Sequence, residues 1–224
     1  MNHILGIGRS GLNANQKKMD AVSDHIANVS TEGYKKKEVQ FRELLSNEEQ
    51  SVGVKSGVLK ADYTQGALRE TGYQWDMAIE GQGFFALTDE NGNVFFTRNG
   101  AFQLSNDGIL TDHEGNPLIT NVQGIIQGED FSVEDIPLFS VDNLQSLIHL
   151  GKGRYFPGED GNLINSIENP DAFGKIQAGF LEESNADLTT AFTEMITTQR
   201  AYTLNSRTIQ STDDLMRLVN EMKR

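Results

Sequence analysis

The sequence predicts an α+β chain: long N- and C-terminal helices packed as a coiled-coil-like stalk, with an inserted antiparallel β domain. Three observations carry that prediction. Apolar residues recur every seven positions at both ends. Short period-two segments and turn dipeptides fill the middle. Residues 38–180 hold all four prolines, 18 of the 22 glycines and 15 of the 18 aromatics. The expected organisation is an N-terminal helix of an assembly domain over 1–37, a β-rich middle domain over 38–180, and a C-terminal helix of the assembly domain over 181–224.

At the N-terminal end, Leu5, Leu12, Met19 and Ile26 are spaced by seven, with Val22 and Val29 alongside. That spacing puts them on one face of a helix. Gly6, Gly8 and Gly11 fall in its first turns, each costing about 1 kcal/mol relative to Ala, so the helix alone should fray. It is expected to stop at Thr31-Glu32-Gly33, where Gly33 can adopt the left-handed conformation common at helix ends. The glycines fit the spacing G-x-G-x-x-G, but a dinucleotide site needs a preceding strand and only five residues come first. Close helix approach is the better reading of these small residues.

Between the ends, Met77-Ala78-Ile79, Phe84-Phe85-Ala86-Leu87, Val94-Phe95-Phe96-Thr97 and Ala101-Phe102-Gln103-Leu104 read as short strands. Glu90-Asn91-Gly92-Asn93, Asn106-Asp107-Gly108 and Glu114-Gly115-Asn116 read as the turns among them. Such strands make an antiparallel β domain.

At the C-terminal end, Leu188, Met195, Tyr202, Ile209 and Met216 sit seven apart, widened by Phe192, Leu215, Leu218, Val219 and Met222. Ser184 followed by Asp187 is a capping-box pattern. A helix from about 185 to 223 would be roughly 58 Å long, longer than a small domain is wide. The first helix can cover only about two-thirds of it, so the rest of the stripe requires other helices. Thr198, Asn205 and Thr212 flank the row, which suits a wet or multi-partner seam.

Composition narrows the function. A net charge of −13 argues against binding nucleic acid or an anionic membrane surface, and no apolar run is long enough for membrane insertion. The N-terminus lacks the pattern of a cleaved secretory signal. No cysteine is present, which removes disulfides, thiolate metal sites and cysteine nucleophiles. His3, His25, His113 and His149 lack ligand spacing and are expected in solvent. Lys35-Lys36-Lys37 reads as a solvated edge. A glycosidase would need two carboxylates across a cleft, yet Asp107, Asp112 and Glu114 sit among turn residues, where acids serve local hydrogen bonding.

Four blocks resemble one family. ANVSTEGYK (27–35) looks like the signature A-N-x-x-T-x-G-[FY]-K of bacterial flagellar rod and hook proteins. YTQGALRETGYQWDMAIEGQGFFAL (63–87), TRNGAFQLSNDGILTDHEGNPL (97–118) and SNADLTTAFTEMITTQRAYTLNSRTIQSTDDLM (184–216) are similar to further blocks, in the family's order. Gln199-Arg200-Ala201-Tyr202, Asn205-Ser206 and Thr212-Asp213 most resemble the distal rod members. Trp75, Asn99 and a short 119–176 stretch keep a proximal-rod paralogue open.

The resemblance implies a structural subunit of the flagellar basal-body rod, a drive shaft that passes torque from motor to hook, with no catalysis and no cofactor or metal. It implies a homo-oligomer in a helical tube, contact with other rod and hook proteins, and delivery by the flagellar type III export apparatus. The implied assembly surface comprises Leu5, Leu12, Met19, Ile26, Asn28, Thr31 and Gly33 at the first end. At the second it comprises Leu188, Phe192, Met195, Gln199, Tyr202, Asn205, Ile209 and Met216. The alternative is a secreted β-rich binding module or adhesin, oligomerised by its terminal helices.

Overall fold

The computed structural model describes residues 2–45, 51–120, 133, 136–158, 162–167 and 169–222. It is α+β, with a helix near each end and fourteen strands among the described residues. The chain forms two compact units: Met1–Ala27, Lys37–Asp62 and Asp187–Arg224 make the first, and Asn28–Lys36 with Tyr63–Ala186 make the second.

In the first unit, helix α1 (Asn2–Ala27) packs on helix α2 (Leu188–Met222). Gly8 faces Ile209 and Gly11 faces Asn205, so position rises on one helix as it falls on the other and the pair is antiparallel. Strands β1 (Lys37–Leu45) and β2 (Ser51–Ala61) form an antiparallel hairpin, from Lys37↔Ala61 to Leu45↔Ser51. The hairpin packs on α1, and the Lys37 N–H donates to His25 Nε2 at 3.0 Å. The compact units therefore divide elsewhere than after residues 37 and 180. The hairpin joins the helices, and Asn28–Lys36 joins the β-rich unit.

Both helix ends differ in detail from expectation. α1 stops at Ala27, where Thr31 N–H donates to Asn28 O and Tyr34 N–H to Thr31 O, turning the chain away. Gly33 does take the left-handed conformation (φ +67°), six residues after the helix; a Cβ there would lie 2.4 Å from the carbonyl carbon of Arg98. At α2 the cap is Asp187, whose carboxylate accepts from Thr190 N–H at 2.8 Å. Ser184 instead accepts from Ala186 N–H, outside the helix.

The second unit is built on antiparallel strands. β3 (Leu68–Glu70) pairs with β14 (Phe180–Glu182), and β4 (Met77–Glu80) with β13 (Lys175–Ala178). Strands β5 (Phe85–Thr88), β6 (Val94–Thr97), β10 (Ile148–Gly151) and β11 (Arg154–Phe156) form a sheet in the order β10-β11-β6-β5. Two smaller pairs complete it, β7 (Gln103–Leu104) with β8 (Leu110–Thr111) and β9 (Phe139–Val141) with β12 (Leu163–Asn165).

The β5–β6 pair is apolar on both faces because successive residues are apolar instead of alternating with polar ones. Phe85, Leu87 and Phe95 join Met77, Ile79, Phe102, Leu110, Leu118, Ile136 and Leu138 on one side. Phe84, Ala86 and Phe96 join Val141, Leu147 and Tyr155 on the other. The hairpin turns repeat one design. In Asp89–Asn93 and again in Asp112–Asn116, the Asp Oδ1 accepts two backbone N–H groups and Oδ2 accepts the Asn side chain. Each needs glycine at its fourth position, with φ of +83° at Gly92 and +86° at Gly115.

Candidate assembly surface and a buried charged junction

The side of α2 that meets α1 is set by small and polar residues. Ala191, Thr198 and Thr212 are buried, all in one heptad row with Asn205, which packs on Gly11. Glycines on α1 make room for the side chains facing them: a Cβ on Gly8 would sit 2.8 Å from Ile209 Cγ1, and one on Gly11 2.8 Å from Asn205 Nδ2. The glycines thus set the helix separation. On α1, among the described residues, the buried positions are Gly8, Ala14, Ala21, Val22 and His25.

The heptad residues singled out above border this seam. Leu5, Leu12, Met19 and Ile26 are half-buried, as are Met195, Tyr202, Asn205, Ile209 and Met216. Leu188, Phe192 and Gln199 are exposed. Asn28 and Thr31 lie in the turn after α1, with Thr31 Oγ1 donating to Asn28 Oδ1 at 3.4 Å, and Gly33 is buried in the second unit.

Further along α2, Leu204, Leu215, Leu218 and Met222 are 62%, 58%, 56% and 86% exposed. At 100° per residue they fall within about 60° of one another; Leu215, Leu218 and Met222 make an apolar strip at the end of the helix, and Leu204 stands about three turns before it, beyond Arg207, Thr208 and Ser211. Leu188, Phe192 and Ile196, also exposed, form a second strip at the start of the helix. Val219 continues the buried row of Thr198 and Thr212 yet is exposed, because α1 has 26 residues and α2 has 35. No helix among the described residues is long and apolar enough to cross a membrane.

The second feature was not expected. Lys35 is 1% exposed and Glu182 0%, and Lys35 Nζ lies 2.5 Å from Glu182 Oε1. Arg98 Nη1 reaches the other carboxylate oxygen at 3.2 Å, and Gly66 N–H donates to Oε1 at 2.8 Å. Arg98 also donates to Gly81 O at 2.8 Å, and its guanidinium lies 5.2 Å from the centre of the Phe84 ring. Burial pushes the Arg98 guanidinium below its ordinary value while Glu182 pulls it back. Burial also raises Tyr155, and pushes Tyr63 up to about 12.

The reading of Lys35 as a solvated residue is therefore corrected. Its stem is enclosed, and its charge is matched by a residue 147 positions away that carries no local signal. His25 is also buried, and His149 is half-buried, its Nδ1 accepting from Gly151 N–H at 2.9 Å. Asp112 and Glu114, considered as catalytic acids, hold structural partners. Asp112 closes its turn, and both acids pair with Arg154, which stacks on Phe95 with 4.7 Å to the ring centre.

Comparison with known proteins decides the family. Three profiles match in chain order: "Flagella basal body rod protein" over 5–35, "Flagellar hook protein FlgE/F/G D1 domain" over 78–136, and "Flagellar basal body rod FlgEFG protein C-terminal" over 177–222. The chain belongs to the flagellar rod and hook family.

Within that family, the chain is 28% identical to the flagellar basal-body rod protein FlgG of Buchnera aphidicola subsp. Schizaphis graminum, covering 97% of this chain and 98% of that one. It is 29% identical to FlgG of Bacillus subtilis, over 97% of each chain. It is 38% identical to the flagellar hook protein FlgE of Salmonella typhimurium over 109 residues, covering 49% of this chain and 27% of the hook protein. The rod and hook profiles include the three charged residues of the junction: Lys35 in the first, Arg98 in the second and Glu182 in the third.

Proposed function

We propose that this chain is a structural subunit of the bacterial flagellar basal-body rod, of the distal-rod type, which polymerises through its terminal helices and passes torque along the shaft. The observation that carries the proposal is the near full-length match to rod proteins named FlgG. The exposed apolar strips on α2 support the mode of assembly. Leu204, Leu215, Leu218 and Met222 leave apolar area in water that a neighbouring subunit can cover. A repeating head-to-tail contact of that kind gives an open helical filament rather than a closed ring. The neighbours are further copies and other rod and hook proteins, and the flagellar type III apparatus exports the subunit.

The implied assembly residues divide accordingly. Leu188 and Phe192 lie in the exposed strip at the start of α2 and Gln199 is exposed, so all three are open to a neighbour. Leu5, Leu12, Met19, Ile26, Met195, Tyr202, Ile209 and Met216 flank the α1–α2 seam and present their outer edges. Gly33 contributes through the fold of its own subunit.

The test is deletion of the gene in its own bacterium and inspection of purified basal bodies. Loss of swimming with rods truncated before the hook, restored by the intact gene, is the expected result. Complete rods and normal swimming would overturn the proposal.

A further inference from the structure

Three stretches of the second unit meet at Glu182, and each adjoins a point where the chain passes to the first unit: 28–36, 63–70 and 180–186. They hold one another through backbone as well as charge. Gly33 N–H donates to Glu182 O at 2.7 Å, Glu183 N–H to Ala67 O at 2.8 Å, and Asn185 N–H to Tyr34 O at 3.3 Å. Asn185 Oδ1 accepts from Lys36 N–H at 2.7 Å, and its Nδ2 donates to Thr64 O at 3.1 Å. Lys35 Nζ reaches the same Thr64 O at 2.7 Å. A Cβ on Gly66 would fall within 1.9 Å of Glu183 O, so the stretches are also in tight backbone contact.

The aromatic core is held differently. Strands β5 and β6 pair through four residues each and are covered on both faces by apolar clusters. The three stretches meet that core at Tyr63, whose ring stands edge-on to Phe84 and Tyr155, and at Gln65, which donates to Ile79 O at 3.1 Å; the Glu182 carboxylate and its bonds to Lys35 and Gly66 lie outside both clusters.

We infer that 28–36, 63–70 and 180–186 form a latch that opens and closes as one step, with the Glu182 carboxylate as its pin, while the aromatic core of the unit stays folded. The physical reason is that withdrawing Glu182 strips the anion from two buried cations at once and breaks the backbone bonds that join all three stretches. The latch gathers the chain's connections to the terminal helices into one local cooperative element. It concerns the subunit's own dynamics and stands whether or not the rod assignment does.

The test is amide exchange of the full chain, read by mass spectrometry. In the unaltered protein, the amides of Gly33, Gly66, Glu183 and Asn185 should share one opening event, with exchange at least about tenfold faster than in β5 and β6. Glu182→Gln keeps the shape of the side chain and removes its charge. It should speed those four amides together by about tenfold or more and leave β5 and β6 unchanged. Lys35→Met should affect the same set. Acceleration confined to Gly66, or equal acceleration in β5 and β6, would overturn the latch.

Discussion

Gly8 lies directly against Ile209: a methyl group on residue 8 would stand 2.8 Å from Cγ1 and 3.2 Å from Cδ1 of that side chain. Gly6, two positions earlier, has nothing within 4 Å of where its Cβ would be. The two glycines cost the helix the same propensity but differ in what they make possible.

That contrast gives a paired prediction. Gly6→Ala should raise the stability of the chain by up to about 1 kcal/mol, since it gains helix propensity and meets no neighbour. Gly8→Leu should lower it by about 1–3 kcal/mol through overpacking. Urea denaturation followed by far-ultraviolet circular dichroism reads both. Equal effects of the same sign would show that Gly8 does not set the helix separation.

The seam carries a second prediction. Thr198 is buried on α2 and its hydroxyl finds no hydrogen-bond partner among the described residues. Thr198→Val keeps the shape and removes the unsatisfied group, so stability should be unchanged or rise by about 1 kcal/mol. A loss of more than about 1 kcal/mol in the same assay would show that the hydroxyl is paired.

A third prediction concerns autonomy of the β-rich unit. A fragment of residues 28–186 retains Lys35, Arg98 and Glu182 and should fold alone, with a β-type spectrum and cooperative melting. A fragment of 38–180 loses both Lys35 and Glu182, leaving Arg98 unpaired and β3 without most of β14. It should be less stable by at least about 3 kcal/mol. Identical melting of the two fragments would contradict the structural role of the junction.

Acid should destabilise the chain in a defined window. The Asn93 side chain holds the Asp89 carboxyl below its ordinary value of 3.8, Thr190 does so for Asp187, and Lys152 and Arg154 hold Glu114 below 4.5. A carboxyl whose value is depressed by folding adds stability above its unfolded value and loses it as pH falls through the folded one. The urea midpoint should therefore be flat down to about pH 5 and decline below about pH 4. Glu114→Gln should make the decline shallower. A midpoint that rises on acidification would be the wrong sign.

The sequence showed some parts of this molecule well and others poorly, for identifiable reasons. Helix periodicity is local, so Leu188 to Met216 on one row sufficed to place α2 within a few residues. Which row is innermost depends on the partner helix: Ala191, Thr198 and Thr212 are buried, whereas the larger Met195 and Tyr202 are only half-buried. The Asp89–Asn93 and Asp112–Asn116 turns were legible because their chemistry lies within five residues. The β1–β2 hairpin was legible in principle, from alternation at Val39, Phe41, Val52 and Val54, yet its attachment to the helices was not. The charged junction was hidden, because Lys35 looks like one of three lysines and Glu182 like one of two glutamates. Only pairing across 147 and 84 residues distinguishes them.

The central claim is that the exposed apolar strip on α2 builds the rod, and Leu215→Asp tests it most directly. Leu215 is 58% exposed, so the change should leave the melting of the purified chain unaltered while placing a charge in an interface that must become dry. Gln210→Asp, about 140° around the helix, serves as the control. In a strain lacking the gene, swimming restored by Gln210→Asp but not by Leu215→Asp is the predicted result. Full swimming with Leu215→Asp, at normal protein level, would contradict the account.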